Sequence, residues 1–112
     1  MLSWSSTAAG TPADIGAIAD DGRDAGLPFS AELIAFAQAI GGWDDFALAT
    51  ARTALAAAAG EAFMVDAAAV VANFEMMTRE ADGTGARFAP ATAGPRAAAA
   101  EQLGIQGFTS AR

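Results

Sequence analysis

EAFMVDAAAVVANFEMMTREAD, residues 61–82, is the stretch whose reading decides the fold. Phe63, Ala67, Val70, Phe74, Met77 and Ala81 recur at alternating steps of four and three, which keeps one apolar stripe on one side of a helix. Met64 and Val71 widen that stripe. Val65, Ala68, Ala69 and Ala72 leave the opposite side small and mostly apolar, so the first turns can be covered on nearly every face. The segment is expected to be the long central helix of a small bundle, with Phe63, Val70, Phe74 and Met77 in the core or at an oligomer contact.

Upstream, Asp44 or Asp45 begins a helix that runs through Leu48, Ala51, Leu55 and Ala58 or Ala59 to Gly60, with Trp43 placed to pack as a hydrophobic staple. The connection to the central helix is very short, which predicts antiparallel neighbours as in an αα-hairpin, and the Ala56–Ala59 run permits close approach. Before it, Ser30 offers an N-cap with Glu32 in the first turn. Leu33, Phe36, Ala37 and Ile40 mark the buried face of that helix, and Gly41-Gly42 end it. Thr11-Pro12-Ala13-Asp14 predicts a short helix from Pro12 to Asp21, and Gly22 to Pro28 reads as a linker. Met1–Gly10 is too poor in large apolar groups to fold alone unless Trp4 docks.

Downstream, Asp82-Gly83-Thr84-Gly85 is turn chemistry that stops the central helix. Ala86 to Gly94 should be an irregular connection with Phe88 tucked in and Pro90 blocking helix. Pro95 opens a last helix, Arg96 to Leu103, closed by Gly104, and the tail is anchored by Ile105 and Phe108. With no strand-like alternation and no internal repeat, the expected fold class is all-α, a small bundle of about five helices in a single domain over residues 1–112.

Hydrophobic residues make up 54% of the 112, but 33 residues are alanine, so each helix buries little area and a second copy has a core to complete. The formal charge of −7, with six arginines and no lysine, argues against tracking the phosphates of nucleic acid or an anionic lipid surface. No basic region precedes an apolar core at Met1, and no run approaches the roughly 18 apolar residues of a spanning helix. A soluble, cytoplasmic chain with no membrane or nucleic-acid partner is the expectation, working as a homo-oligomer of two copies or more.

Cys, His, Lys and Tyr are all absent. That excludes Ser-His-Asp and Cys-His nucleophilic centres, a Schiff base, the usual zinc ligands and the Glu-x-x-His di-iron motif. Carboxylate work or binding remains. Asp66, Asn73 and Glu80 lie seven apart on one ridge of the central helix, flanking its stripe. They either line a ligand pocket or satisfy helix ends and an oligomer interface, and the second reading is favoured because polar groups at flanking positions set partner and register. Glu75 and Arg79 form an i,i+4 pair of structural value only. Asp20, Asp21 and Asp24 around Gly22 lack the EF-hand spacing and its closing Glu. Gly83-Thr84-Gly85 lacks a phosphate-cradle pattern, and Met64, Met76 and Met77 read as core filler before they read as a ligand groove. Neither a metal nor a cofactor is expected, and no catalytic residue is assigned.

Val65-Asp66-Ala67-Ala68-Ala69-Val70-Val71-Ala72-Asn73-Phe74, followed by Met77, Arg79, Ala81-Asp82 and Gly85, resembles the closing helix of the carboxymuconolactone decarboxylase and AhpD-like alkylhydroperoxidase superfamily. There a similar apolar helix carries an Asn-Phe pair and ends in an Arg, Ala-Asp and Gly pattern. The resemblance implies an all-α fold and homo-oligomers built by packing helices between subunits. In the peroxidase-like branch it also implies a Cys-x-x-Cys centre assisted by His and Glu. No Cys or His exists in this chain to carry that centre. The chain looks like the family's C-terminal helical portion, standing alone, having lost the chemistry, or completed by a separately encoded protein. The expected function is a self-associating binding or interaction module, and the alternative is an enzyme of that group relying on Asp66, Glu80 or a carboxylate from another subunit.

Overall fold

A computed structural model describes residues 8–20, 24–86 and 93–105. The chain divides into two compact units, Pro28–Arg79 and the pair of segments Met1–Leu27 with Glu80–Arg112. The fold is all-α. A 3-10 turn at Ile15–Ile18 precedes α1 (Ser30–Gly41), α2 (Asp45–Ala59), α3 (Glu61–Thr84) and α4 (Ala93–Gln102), and no strand occurs among the described residues. None of the helices there is long and apolar enough to cross a membrane.

In the unit Pro28–Arg79 the core sits between α1 and α2, the closest helix pair. Phe36 and Ala39 of α1 meet Ala51 and Leu55 of α2, all buried, with Leu55 fully sequestered. Leu33, Ile40, Ala47, Leu48 and Ala59 close the flanks. The three- and four-residue steps put these groups on facing sides, while Ala37, expected inside, is half-buried and Ala39 takes the inner place. Burying a Phe or Leu side chain is worth about 1.5–3 kcal/mol, so Phe36 and Leu55 dominate a core whose other two members are alanines.

Local chemistry fixes the ends of these helices. Asp44 is the N-cap of α2, its Oδ1 accepting from the Phe46 and Ala47 amides at 3.1 and 2.9 Å. Gly42 closes α1 by donating to the Gln38 carbonyl at 2.8 Å. A Cβ there would stand 3.0 Å from that same oxygen, so a side chain is excluded without a backbone shift. Gly60 alone separates α2 from α3. Its φ of 91° with ψ of 158° is a combination essentially restricted to glycine, and it breaks the helix direction in one residue.

Two expected caps are replaced. Ser30 is not the N-cap of α1 but its first helical residue; Phe29 occupies the cap with φ 58° and no side-chain cap bond. The left-handed conformation costs a non-glycine residue about 1–2 kcal/mol. It brings the Phe29 ring edge-on to Phe63, with centroids 5.8 Å apart and planes at 63°, a contact worth about 0.5–1.5 kcal/mol beyond its burial. Trp43 is likewise left-handed, at φ 55°, and 82% exposed, so it does not form the expected staple.

α3 is long, as its periodicity predicts, but it does not lie at the centre of a core. None of its residues is buried, and Val70, Phe74 and Met77 are each at least half exposed, with Phe63 at 38%. The helix packs on the α1–α2 core through Met64, Ala67 and Ala68. At about 100° per residue that side lies roughly 100° around the helix from the middle of the Phe63–Val70–Phe74–Met77 row. The αα-hairpin expected of α2 and α3 is therefore not the tight pair of this unit; α1 and α2 are. Leu55 is enclosed chiefly by its neighbours on α1 and α2, and α3 adds Met64 and two alanines at the edge of that cluster.

In the unit Met1–Leu27 with Glu80–Arg112, the helix expected at Pro12–Asp21 is reduced to one 3-10 turn capped by Asp14, not Thr11. Asp14 Oδ1 accepts from the Gly16 amide at 2.9 Å and from Gln102 Nε2 at 3.2 Å, while its own amide donates to the Ala25 carbonyl at 3.0 Å. An aspartate that bonds its own backbone two residues on competes with helix propagation, and Gly16 adds little to oppose it. Ala17 and Ala25 are buried here.

The close of α3 lies in the same unit. Asp82, Gly83 and Thr84 remain helical, past the expected stop at the turn sequence, and Gly85 at φ 67° ends the helix. Ala86 donates to the Ala81 carbonyl at 3.0 Å and Gly85 to Asp82 at 3.3 Å, the paired bonds of a Schellman end. The same pair closes α4 at Gly104, where Ile105 donates to Ala100 and Gly104 to Glu101. α4 starts at Ala93, not at Pro95 or Arg96. Pro95 sits in the first turn, where amides have no intrahelical acceptor and its missing N–H costs nothing. The expectations for Trp4, Asp21, Gly22, Phe88, Pro90 and Phe108 fall outside the described residues.

Candidate functional site

The ridge of Asp66, Asn73 and Glu80 follows from the helical period of α3, yet all three side chains are exposed and none borders a core. Seven residues advance about 10 Å along a helix, so the three do not converge. Asn73 Nδ2 turns along its own helix and donates to Met77 Sδ at 3.6 Å. Asp66 and Asn73 belong to the unit Pro28–Arg79 and Glu80 to the other. Among the described residues no three carboxylates group closely enough to hold a metal, and Asp20 and Asp24 are exposed helix-end or turn residues.

The adjoining row is a more substantial feature. Phe63, Val70, Phe74 and Met77 run along α3 on one side, with Asp66 and Asn73 at the margin. Val70 is midway: Phe63 precedes it by seven residues and Met77 follows it by seven. The three methionines of α3 separate in space. Met64 fills in against the core, Met77 joins the exposed row, and Met76 faces a groove on another side.

That groove, of about 470 Å³, is built by all three helices of the unit. Ala39 and Ile40 of α1, Leu48 of α2, and Ala72 and Met76 of α3 supply apolar walls, and Trp43 stands at the α1–α2 turn. Three charged groups share it: Asp45, Glu75 and Arg79. Arg79 lies 3.7 Å from Glu75, both partly exposed, in the i,i+4 pairing expected from the sequence. Asp45 is the first helical residue of α2, beside the cap Asp44. A Cβ at Gly41 would sit 3.9 Å from Glu75 Oε1, an ordinary contact, so α3 lies close to α1 at this end without requiring the glycine.

Spacing gives no hint of the groove, because its parts lie on three helices separated by up to about 40 positions of chain. The one local signal is Gly41-Gly42-Trp43-Asp44, an aromatic residue held between a glycine stop and an N-cap. Comparison with protein-family models, with curated proteins and with solved structures finds no match.

Proposed function

We propose that this chain is a self-associating helical interaction module whose partner is a second copy of itself, joined through the face of α3 that carries Phe63, Val70, Phe74 and Met77. The observation that carries the reading is a helix with no buried residue and a row of large apolar groups exposed along it. Rows of this size on a protein surface mark interaction sites. The same kind of face at a subunit contact is what the resemblance to the AhpD-like superfamily implies.

Three properties favour a second copy as the occupant. A two-fold axis at Val70 sets Phe63 against the partner's Met77, seven residues to either side, and Val70 against the partner's Val70, while Phe74 meets the aliphatic stem of the partner's Asp66 at the margin. Such self-complementarity is what an isologous dimer requires, and Met sulfur against an aromatic ring is a favourable contact. The row itself is uncharged, so two chains of net charge −7 meet without placing carboxylates face to face. Finally, a core led by Phe36 and Leu55 alone leaves stability to be gained by covering further apolar surface.

Sedimentation equilibrium on the native chain and on Phe74→Asp tests the reading. The expected result is a concentration-dependent dimer of the 11.2 kDa chain that becomes monomeric in the variant with its helical circular dichroism intact. A native chain that stays monomeric at every concentration overturns it.

A further inference from the structure

We propose that the groove between Trp43, Asp45 and Met76 binds an organic cation: an apolar body carrying one ammonium or similar positive group. The apolar part is accommodated by Ile40, Leu48 and Met76, and the volume of about 470 Å³ is in the range of small-molecule sites. The sign of the ligand follows from the charges. Glu75 and Arg79 offset one another across 3.7 Å, which leaves the Asp45 carboxylate as the net charge of the groove within a chain of net −7. An anion meets repulsion from Asp45 and from the whole molecule; a cation is attracted by both.

Trp43 adds a second term of the same sign. Its indole is 82% exposed at the groove, and the indole face is the best aromatic partner for a cation. The residue is also held at φ 55°, a conformation that costs a non-glycine side chain free energy and that clusters at ligand clamps. The flexible, polarizable Met76 is also part of the lining. This site is on a different side of α3 from the Phe63–Met77 row, so it stands or falls independently of self-association.

The test uses the full chain carrying Trp4→Phe, which leaves Trp43 as its sole tryptophan and makes the emission specific to the groove. Benzyltrimethylammonium is titrated against benzyl alcohol and benzoate. The expected result is saturable change in Trp43 emission with the cation bound about tenfold tighter than the alcohol, on the scale of a cation–π contact plus one carboxylate, and no benzoate binding. Asp45→Asn, which keeps the Asp44 cap, should weaken the cation by about three- to tenfold and leave the alcohol unchanged. Arg79→Ala should tighten the cation by freeing Glu75. Equal binding of cation and alcohol, insensitivity to Asp45→Asn, or no saturable binding of the cation each overturns the proposal.

Discussion

Leu55→Ala should be the most damaging single apolar truncation in the unit Pro28–Arg79. Leu55 has no exposed surface and is enclosed by Phe36, Ala39 and Ala51, with Leu33, Ile40, Leu48 and Met64 around them. Removing a fully buried leucine side chain to alanine costs about 2–5 kcal/mol, the higher end applying where neighbours cannot move into the space. Two of the three buried neighbours are alanines, already at backbone distance and with no side chain to extend. Met64 is the flexible group able to fill part of the void. We therefore expect about 3 kcal/mol, a large share of the roughly 5–15 kcal/mol of a typical domain. In urea, with a slope of about 1–3 kcal/mol per M, this moves the midpoint down by about 1–3 M. Denaturation followed by far-ultraviolet circular dichroism, at protein concentrations low enough to keep native and variant monomeric, measures it. A loss below about 1 kcal/mol, the scale of typical point substitutions, would refute the placement of the core between α1 and α2.

Further substitutions probe the ends and faces. Asp44→Ala removes the acceptor for two amides of α2 and should cost about 1 kcal/mol, read from the same denaturation curves. Gly42→Ala forces a Cβ to within 3.0 Å of the Gln38 carbonyl and should destabilise by about 1 kcal/mol or more, through strain at the helix end. Trp43→Gly relieves a left-handed non-glycine residue whose ring contributes little burial; thermal unfolding should rise by a few degrees, the equivalent of about 1 kcal/mol or less. Arg79→Ala breaks a long, exposed ion pair and should change stability by less than about 0.5 kcal/mol, even as it alters cation binding in the groove.

The elements that could be read from the sequence are those decided by one or two residues. Asp44 before an apolar run, Gly60 between two runs and Gly104 after one each act through their own backbone geometry, and each is found at a helix boundary. Where two residues compete, local chemistry leaves the outcome open. Ser30 is the better capping side chain, but Phe29 takes the cap while its ring meets Phe63, a partner more than 30 positions away. Thr11 and Asp14 both suit a cap, and Asp14 prevails with bonds to Gly16 and to the distant Gln102.

The face of α3 that packs was not legible, for a related reason. Periodicity reports that Phe63, Val70, Phe74 and Met77 share a side, and they do. Met64, Ala67 and Ala68 form a second apolar side, however, and it is this side that packs, partly buried, on the core around Leu55. Asp66, Asn73 and Glu80 consequently stand in solvent and not at a core margin. The groove at Trp43 depends on Asp45 of α2 meeting Glu75 and Met76 of α3, which no single window of sequence encodes.

The most direct measurement of self-association through α3 exploits the absence of cysteine from the chain. Val70→Cys places one thiol at the proposed two-fold axis, where facing Cβ atoms come within the roughly 3.5–4.5 Å of a disulfide. Mild oxidation at low protein concentration should convert the chain to a covalent dimer. Phe63→Cys alone should not cross-link, while an equimolar mixture of Phe63→Cys and Met77→Cys chains should. Failure of Val70→Cys to cross-link faster than a thiol placed at the exposed Ala49 on α2 would contradict an interface centred on this face.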